Sequence, residues 1–321
     1  MDRRQLLLGA AAAPLALVLD PRALAARLGG TPVAFVTADL ESHVVVLDLE
    51  TMSVRERIAT GPGPRSIESM HDWIAVVAHT GEGVVTLLDA ATSRIRAELD
   101  GFEAPRYTAV HPRRPLAYIT DSASEAVVVL DAEAARVLWR TPVPGPARHI
   151  SISRDGRTLW TALGTKAARV AVLDASDPRR PKLARTFAPP FLAHDIVFAP
   201  DGRTVWVTSG SEHRLGLYER TGVPRRLLSA GAPPQHVTFA RDKAFVASGD
   251  DGTVHRRRLD GELVRRVRVP VGSYNVTFGW GRVVSPSLGR GTVSVLDRNG
   301  RVRHVKKVAG AAHDACIVFG P

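Results

Sequence analysis

A short apolar run, usually closed by an acidic residue, recurs seven times along this chain of 321 residues. The copies occupy residues 43–48, 84–89, 126–131, 169–174, 214–219, 253–258 and 292–297, and the fifth and sixth are degenerate. Six steps separate Asp48 from Asp297, so the period is about 41.5 residues. Repeats of about 40 residues rich in β-branched side chains are typical of propellers, in which each repeat forms one four-stranded sheet. The spacing therefore predicts a ring of seven blades.

Within each repeat, the pattern of side chains predicts antiparallel strands rather than helices. In the fifth repeat, apolar and polar side chains alternate over 202–210 for one strand, and three shorter strands are predicted at 215–218, 225–229 and 237–240. Glycine-containing turns separate these segments, as expected of short antiparallel strands. We therefore expect an all-β fold: a seven-bladed β-propeller of four-stranded antiparallel blades, with almost no helix after residue 25.

One large residue recurs in the strand that precedes each apolar run. The seven positions are Phe35, Val76, Tyr118, Trp160, Trp206, Phe245 and Val284. Two twisted sheets packed face to face leave a widening gap, which a large side chain can fill. Aromatic rings can also stack on sugars, but the regular recurrence favours packing between blades.

The two ends of the chain predict how the ring closes. The first strand, near residues 33–38, is of the mid-blade type, whereas the last, at 315–319, is of the innermost type. We expect the C-terminal strand to pair with the N-terminal blade, because this closure removes two exposed sheet edges at once.

The first 25 residues have the pattern of an export signal. Arg3 and Arg4 precede an apolar stretch that runs to Leu19, and Ala-Leu-Ala at 23–25 is a small-x-small cleavage site. This stretch is too short to serve as a membrane span. We expect cleavage after residue 25, with no transmembrane segment in the remaining chain.

The adjacent arginines resemble a twin-arginine signal. Asp2 stands where Ser or Thr is usual, so the general secretory route is the alternative. We therefore divide the chain into an export signal at 1–25, a short linker at 26–32 and a propeller at 33–321. The expected location is outside the cytoplasm, in a periplasm, a cell wall or the medium.

Charge and cysteine content narrow the classes of partner. The formal net charge is +11, but only five of the 43 basic residues are lysine, a bias typical of GC-rich coding sequences. The arginines are spread through most repeats, which together with export argues against a nucleic-acid partner. The single cysteine, Cys316, has no partner for a disulfide and lies in an apolar strand, so it is expected in the core. We expect a monomer.

The repeats resemble the YVTN type of seven-bladed β-propeller. Residues 292–297 (Thr-Val-Ser-Val-Leu-Asp) and 196–202 (Ile-Val-Phe-Ala-Pro-Asp-Gly) are close matches to that pattern, and the resemblance covers residues 33–321. Residues 148–156, Arg-His-Ile-Ser-Ile-Ser-Arg-Asp-Gly, resemble a phrase of seven-bladed lactonases. The resemblance implies membership of the lactonase-like and nitrite-reductase-propeller-like superfamily. That superfamily holds binding proteins, lactonases and haem- or quinone-linked dehydrogenase subunits.

Each innermost strand begins with a polar phrase, and a propeller brings such phrases together at one mouth of its central channel. The first members are Arg65, Arg106, Arg148, His194, Gln235, Tyr274 and His313. The second members are Ser66, Tyr107, His149, Asp195, His236, Asn275 and Asp314. We take nine of these as candidate ligand-binding residues: Arg65, Arg106, Arg148, His149, His194, Asp195, His236, His313 and Asp314.

Three interpretations of this mouth are compatible with the sequence. Imidazoles and carboxylates could form a divalent-metal or acid–base site, for which the candidate metal ligands are His149, His194, His236 and His313. Arginines on three consecutive blades could instead hold a carboxylate or phosphate. The third interpretation is a polar lining for a water-filled channel.

Several chemistries are excluded by the sequence itself. The absence of Cys-x-x-Cys-His excludes covalent c-type haem, and neither a Gly-x-Ser-x-Gly elbow nor a phosphate-binding P-loop is present. No catalytic residue is assigned. We expect an exported binding or interaction module for an unknown small molecule or protein, using the mouth of the channel. The alternative is a lactonase-like hydrolase, or a metal-assisted enzyme, at the same mouth.

Overall fold

The computed structural model describes residues 30–320, so the predicted export signal and most of the predicted linker lie outside the described residues. Over this range the fold is all-β: 28 strands form seven four-stranded antiparallel sheets. The predicted seven-bladed β-propeller is confirmed. Residues 30–320 contain no apolar helix of membrane-spanning length.

Blades 2 to 4 are each built from four consecutive strands, with the first strand innermost. Blade 2 comprises β4 (Pro64–Met70), β5 (Ile74–His79), β6 (Val84–Asp89) and β7 (Arg94–Leu99). Blade 3 comprises β8 (Pro105–Val110), β9 (Leu116–Asp121), β10 (Ala126–Asp131) and β11 (Arg136–Pro142). Blade 4 comprises β12 (Ala147–Ile152), β13 (Thr158–Leu163), β14 (Val170–Asp174) and β15 (Lys182–Phe187).

Blades 5 to 7 follow the same order but have shorter inner strands. Blade 5 comprises β16 (Ile196–Phe198), β17 (Thr204–Ser209), β18 (Arg214–Glu219) and β19 (Pro224–Ser229). Blade 6 comprises β20 (Val237–Ala240), β21 (Lys243–Ser248), β22 (Thr253–Arg258) and β23 (Leu263–Arg268). Blade 7 comprises β24 (Thr277–Gly279), β25 (Arg282–Ser287), β26 (Thr292–Asp297) and β27 (Val302–Lys307).

Blade 1 joins the two ends of the described chain. It comprises β1 (Thr31–Ala38), β2 (His43–Asp48), β3 (Val54–Ala59) and, as its innermost strand, β28 (Ala315–Gly320). The antiparallel pair β1–β28 runs from Thr31 opposite Gly320 to Val36 opposite Ala315. This confirms the predicted closure. Pairing with β28 also extends β1 to Thr31, two residues before the predicted start of the propeller at 33.

The core lies between the blades, as the recurring large residue predicts. All seven predicted gap-filling side chains have 0% exposure: Phe35, Val76, Tyr118, Trp160, Trp206, Phe245 and Val284. Trp160, for example, meets Phe187 and Phe198 edge-on at centroid distances of 5.0 and 6.0 Å. Cys316 is likewise buried and unpaired, and burial raises its pKa well above the ordinary value, as suits a core residue.

Candidate functional site

The seven inner strands surround a central channel with a volume of about 510 Å³. Among the residues that line it are Tyr107, His149, Asp195, His236 and Asp314. All five are second members of the predicted phrases, at or just before the start of an inner strand. Second members of most of the polar phrases therefore meet in the channel.

The inner strands of blades 2, 3 and 4 differ from the other four in reaching this mouth through a β-bulge. Their strand pairing shifts at Arg65 in β4, at Arg106 and Tyr107 in β8, and at Arg148 and His149 in β12. The inner strands of the other blades begin only after their phrases. A bulge re-aims side chains and is frequent beside functional sites. The three arginines, which we call the arginine trio (Arg65, Arg106 and Arg148), thus share one local backbone feature.

The arginine trio concentrates positive charge on adjacent blades. Burial, and then the charges of Arg148 and Arg65, lower the pKa of Arg106, so the three guanidinium groups lie close enough to repel. Arg65 has a carboxylate 3.7 Å away, that of Asp39. Within residues 30–320, no carboxylate oxygen lies within 4.0 Å of the Arg106 or Arg148 side-chain nitrogens. The Nε atoms of all three arginines are buried without a hydrogen-bond partner.

Three histidines from blades 4, 5 and 6 converge beside this charge; we call them the histidine cluster (His149, His194 and His236). Each offers one ring nitrogen, and these three atoms lie within 4.8 Å of one another. The His149 ring lies 4.3 Å from that of His194 and 4.8 Å from that of His236, centroid to centroid. Tyr107 stacks on His149 at 3.9 Å and lies 5.8 Å from the ring of His236. The predicted candidates His149, His194 and His236 are therefore brought together.

The surroundings of the cluster favour neutral imidazoles. Burial, followed by the neighbouring histidines, lowers the pKa of His149 well below its ordinary value, with a small opposing contribution from the backbone of His194. Burial likewise lowers the pKa of His236 and, less strongly, of His194. Neither ring nitrogen of His149 makes a hydrogen bond of normal geometry, although the side chain is 1% exposed. A neutral imidazole can act as a base or as a metal ligand.

The fourth candidate ligand, His313, lies outside this cluster. Its Nδ1 is 2.9 Å from the Oδ2 of Asp39, the carboxylate that also faces Arg65. His313 is thereby paired with Asp39, at the blade 1 side of the mouth. The set of histidines close enough to share a metal ion among the described residues has three members, not the four considered from sequence.

Asp195 and Asp314 connect neighbouring blades at equivalent positions. Asp195 accepts hydrogen bonds from the backbone N–H groups of Ile196 (2.8 Å) and, across the blade gap, Val237 (2.9 Å). Asp314 accepts from the backbone N–H groups of Ala315 (2.8 Å) and Ile67 (3.1 Å). These contacts join the inner strand of blade 5 to that of blade 6, and the inner strand of blade 1 to that of blade 2.

Burial also raises the pKa values of these two carboxyl groups, Asp195 and Asp314. It raises the pKa of Asp195 to about 7, against the lowering effect of its two backbone hydrogen bonds. It raises the pKa of Asp314 to about 6, against the lowering effects of His313 and the backbone. Both can therefore exchange a proton near neutral pH, although their hydrogen bonds also give them a structural role.

Three residues of the mouth and channel were not among the nine candidates. Asp39 pairs with both Arg65 and His313 from the loop after β1. Glu68 lines the channel; enclosure by the ring, and then the charge of Asp314, raise its pKa to about 8 even though the side chain is exposed to the channel. Tyr107 stacks on His149. Tyr107 stood in the column of second members, and Glu68 lies two residues after that column, so strand periodicity could have pointed to both.

Comparison with known proteins supports the fold and leaves the chemistry open. No protein-family model matches the chain. The 6-phosphogluconolactonase of Cronobacter sakazakii is 28% identical over 113 residues, which is 33% of this chain and 34% of that protein. The chain thus matches only about a third of the length of this curated relative.

Two solved structures resemble nearly the whole ring. A protein of unknown function from Desulfotomaculum acetoxidans has a TM-score of 0.79 at 14% identity, covering 91% of this chain and 100% of that one. Apo AztD from Citrobacter koseri has a TM-score of 0.69 at 13% identity, covering 91% and 99%. At these identities the likeness concerns fold alone. In fold, this chain is a seven-bladed β-propeller, and a third of its sequence is similar to part of a 6-phosphogluconolactonase.

Proposed function

We propose that this protein is an exported binding module that takes a small anionic ligand, bearing a carboxylate or phosphate group, at the arginine trio. The observation that carries the proposal is that Arg65, Arg106 and Arg148 all lie at bulges of adjacent inner strands, each with a buried, unpartnered Nε. Small-molecule sites are concave and have a few convergent polar groups. The mouth of this channel has that character.

The energetics of buried cations support an anionic ligand. A buried donor without a partner costs about 1–3 kcal/mol. The trio has three such donors and, at Arg106 and Arg148, no carboxylate within ion-pair distance among residues 30–320. An anion with two or three oxygens would accept from these donors and reduce the repulsion within the trio, because guanidinium groups match carboxylate and phosphate geometry.

Substitution of Arg106 by Gln tests the site directly. We expect wild-type protein to bind inorganic phosphate or succinate, and Arg106→Gln to weaken binding of the preferred anion by at least about 10-fold, because a charge-assisted hydrogen bond is lost. Isothermal titration calorimetry at low ionic strength measures this, and comparison of the two anions identifies the preferred group.

Arg136→Gln is the matched control, because Arg136 is exposed on the outer strand of the same blade. It is expected to leave the affinity unchanged. Equal binding by wild type and Arg106→Gln would contradict the proposal.

A second candidate function is hydrolysis of a lactone at the same mouth. It is favoured by the partial match to a 6-phosphogluconolactonase, whose name implies a phosphorylated lactone, and by neutral imidazoles beside the arginine trio. A buried imidazole can act as a general base toward water. Turnover of 6-phosphogluconolactone that is lost in Arg106→Gln and retained in Arg136→Gln would favour this hydrolase over a module that only binds.

Export has its own test. We expect protein recovered outside the cytoplasm to begin at Ala26, and N-terminal sequencing of that protein checks the cleavage site. Changing both Arg3 and Arg4 to Lys should stop export if the route is the twin-arginine one and leave it intact if the route is the general one. Exported protein that begins at Met1 would refute signal cleavage.

A further inference from the structure

The histidine cluster lies beside Arg148 of the arginine trio and has a different chemistry. His149, His194 and His236 come from consecutive blades, and their nearest ring nitrogens lie within 4.8 Å of one another. An anion needs donors, whereas three imidazole nitrogens that face one another offer lone pairs to a cation. We propose that the histidine cluster binds one divalent transition-metal ion, of the Zn²⁺ type.

The spacing of the cluster suits this class of ion after a small adjustment. Zn–N bonds of about 2.0–2.1 Å in tetrahedral geometry place ligand nitrogens roughly 3.3 Å apart. The cluster must therefore contract by about 1.5 Å at its widest point, which rotation of the half-buried His194 and His236 side chains can provide. Three imidazoles favour zinc, copper, nickel or cobalt, since calcium and magnesium prefer oxygen ligands.

A hydrogen bond already orients one of the three rings, and a carboxylate lies just beyond hydrogen-bond distance of a second. The Nδ1 of His194 lies 3.2 Å from the backbone oxygen of Thr165, which leaves Nε2 available. The Nδ1 of His236 lies 3.9 Å from the Oδ2 of Asp195. Metal-binding histidines nearly always have such a carbonyl or carboxylate on the other nitrogen, because it fixes the ring.

The third ring supplies an independent indication. His149 is 1% exposed, and neither of its ring nitrogens has a hydrogen-bond partner of normal geometry. A buried polar side chain without a hydrogen bond of normal geometry is uncommon in a native protein. A metal ion among the three rings would give it a partner, while Tyr107 holds the ring of His149 by stacking on it at 3.9 Å.

The positive charge of the arginine trio affects metal binding at the histidine cluster. The charge of Arg148 acts on both His149 and His236, so a dication held by these rings is repelled by it. An anion on the trio would reduce that repulsion and could fill the fourth coordination position, as catalytic and open metal sites permit. Metal and anion should therefore bind with positive coupling, which by linkage is the same in both directions.

Zn²⁺ titration of tag-free, chelator-treated protein tests the proposal. We expect one equivalent to bind, and His194→Ala to lower the affinity by at least about 100-fold, because loss even of a partner beyond the metal ligands costs about 10- to 100-fold. Co²⁺ should give visible absorption bands of a four-coordinate site in wild type and not in the variant. His194 is chosen because it is less buried than His149, so that its removal leaves the fold intact, and thermal melting confirms this.

His255→Ala is the matched control, since His255 is a buried blade 6 histidine whose Nδ1 is also unpartnered but which lies outside the cluster. It should bind Zn²⁺ as wild type does. Absence of stoichiometric binding, or equal loss in His194→Ala and His255→Ala, would overturn the metal site.

Repeating the titration with sulfate present separates this proposal from that of the anion site. Tighter Zn²⁺ binding in sulfate supports coupling of the two, and unchanged affinity refutes the coupling. If the metal site fails, phosphate or succinate should still bind to His194→Ala. If the anion site fails, Zn²⁺ should still bind to Arg106→Gln.

Discussion

Deletion of residues 312–321 is expected to destroy the folded ring. The lost segment contains all of β28, whose Ala315, Cys316, Ile317, Val318 and Phe319 are at most 5% exposed. Burying a large apolar side chain contributes roughly 1.5–3 kcal/mol, so the loss is on the order of 10 kcal/mol. That is comparable to the whole stability of a typical domain, about 5–15 kcal/mol. Size-exclusion chromatography and circular dichroism should show aggregated or unfolded protein.

The deletion also exposes β1, which pairs with β28 along its inner edge. An exposed edge strand is a template for intermolecular pairing, which is why aggregation is expected.

A milder pair of variants checks the same closure. Val318→Asp places a charge at a position with 0% exposure and should lower the melting temperature sharply.

Val305→Asp makes the same change on the outer strand β27, where the side chain is 51% exposed, and should have little effect. An unchanged melting temperature for the deletion or for Val318→Asp would show that closure does not stabilise the ring.

Truncation of Trp206 should be the most damaging of the substitutions to Ala in the blade gaps. Trp206 has 0% exposure and packs between blades 5 and 6 with Leu217, Val237 and Val246, and edge-on to Phe239 at 5.5 Å. Trp206→Ala should lower the free energy of unfolding by about 3–5 kcal/mol, because it removes buried apolar area and leaves a cavity. Urea denaturation followed by circular dichroism measures the change.

Trp139→Ala is the control for the same substitution at the surface. Trp139 is 41% exposed on β11, where the guanidinium carbon of Arg180 lies 5.3 Å from its ring centroid. Loss of an exposed contact of this kind costs about 0.5–1 kcal/mol. Equal destabilisation by the two variants would refute the view that Trp206 fills a gap between blades.

The architecture could be predicted from sequence because it depends on local patterns. Alternation with period 2 placed β20 at Val237–Ala240 without error and β18 within one residue at each end. The recurrence of about 41.5 residues set the number of blades, and the type of the terminal strands set the closure. The same register picked out the large side chains between blades, such as Trp160 and Trp206, because their places in the repeat are equivalent.

The candidate site was predicted only as a circle of polar residues. Sequence register cannot show that Arg65, Arg106 and Arg148 lie at bulges, because a bulge depends on pairing with the neighbouring strand. Nor can it separate His313, which pairs with Asp39, from the histidines of the cluster. The assignment of a ligand to either group stays a prediction until the binding experiments are done.

Local chemistry in each repeat therefore suffices to specify strands and blade number, since blades 2 to 7 solve the same packing problem with neighbours nearby in sequence. Ring closure joins the two ends of the described chain, but the type of each terminal strand is again a local pattern. Function at the mouth depends instead on residues about 42 positions apart, contributed one per blade. Their separation depends on how closely the inner strands approach and how each side chain is aimed. Only the closed ring brings His149 beside His194 and His236, and leaves His149 buried without a hydrogen bond of normal geometry.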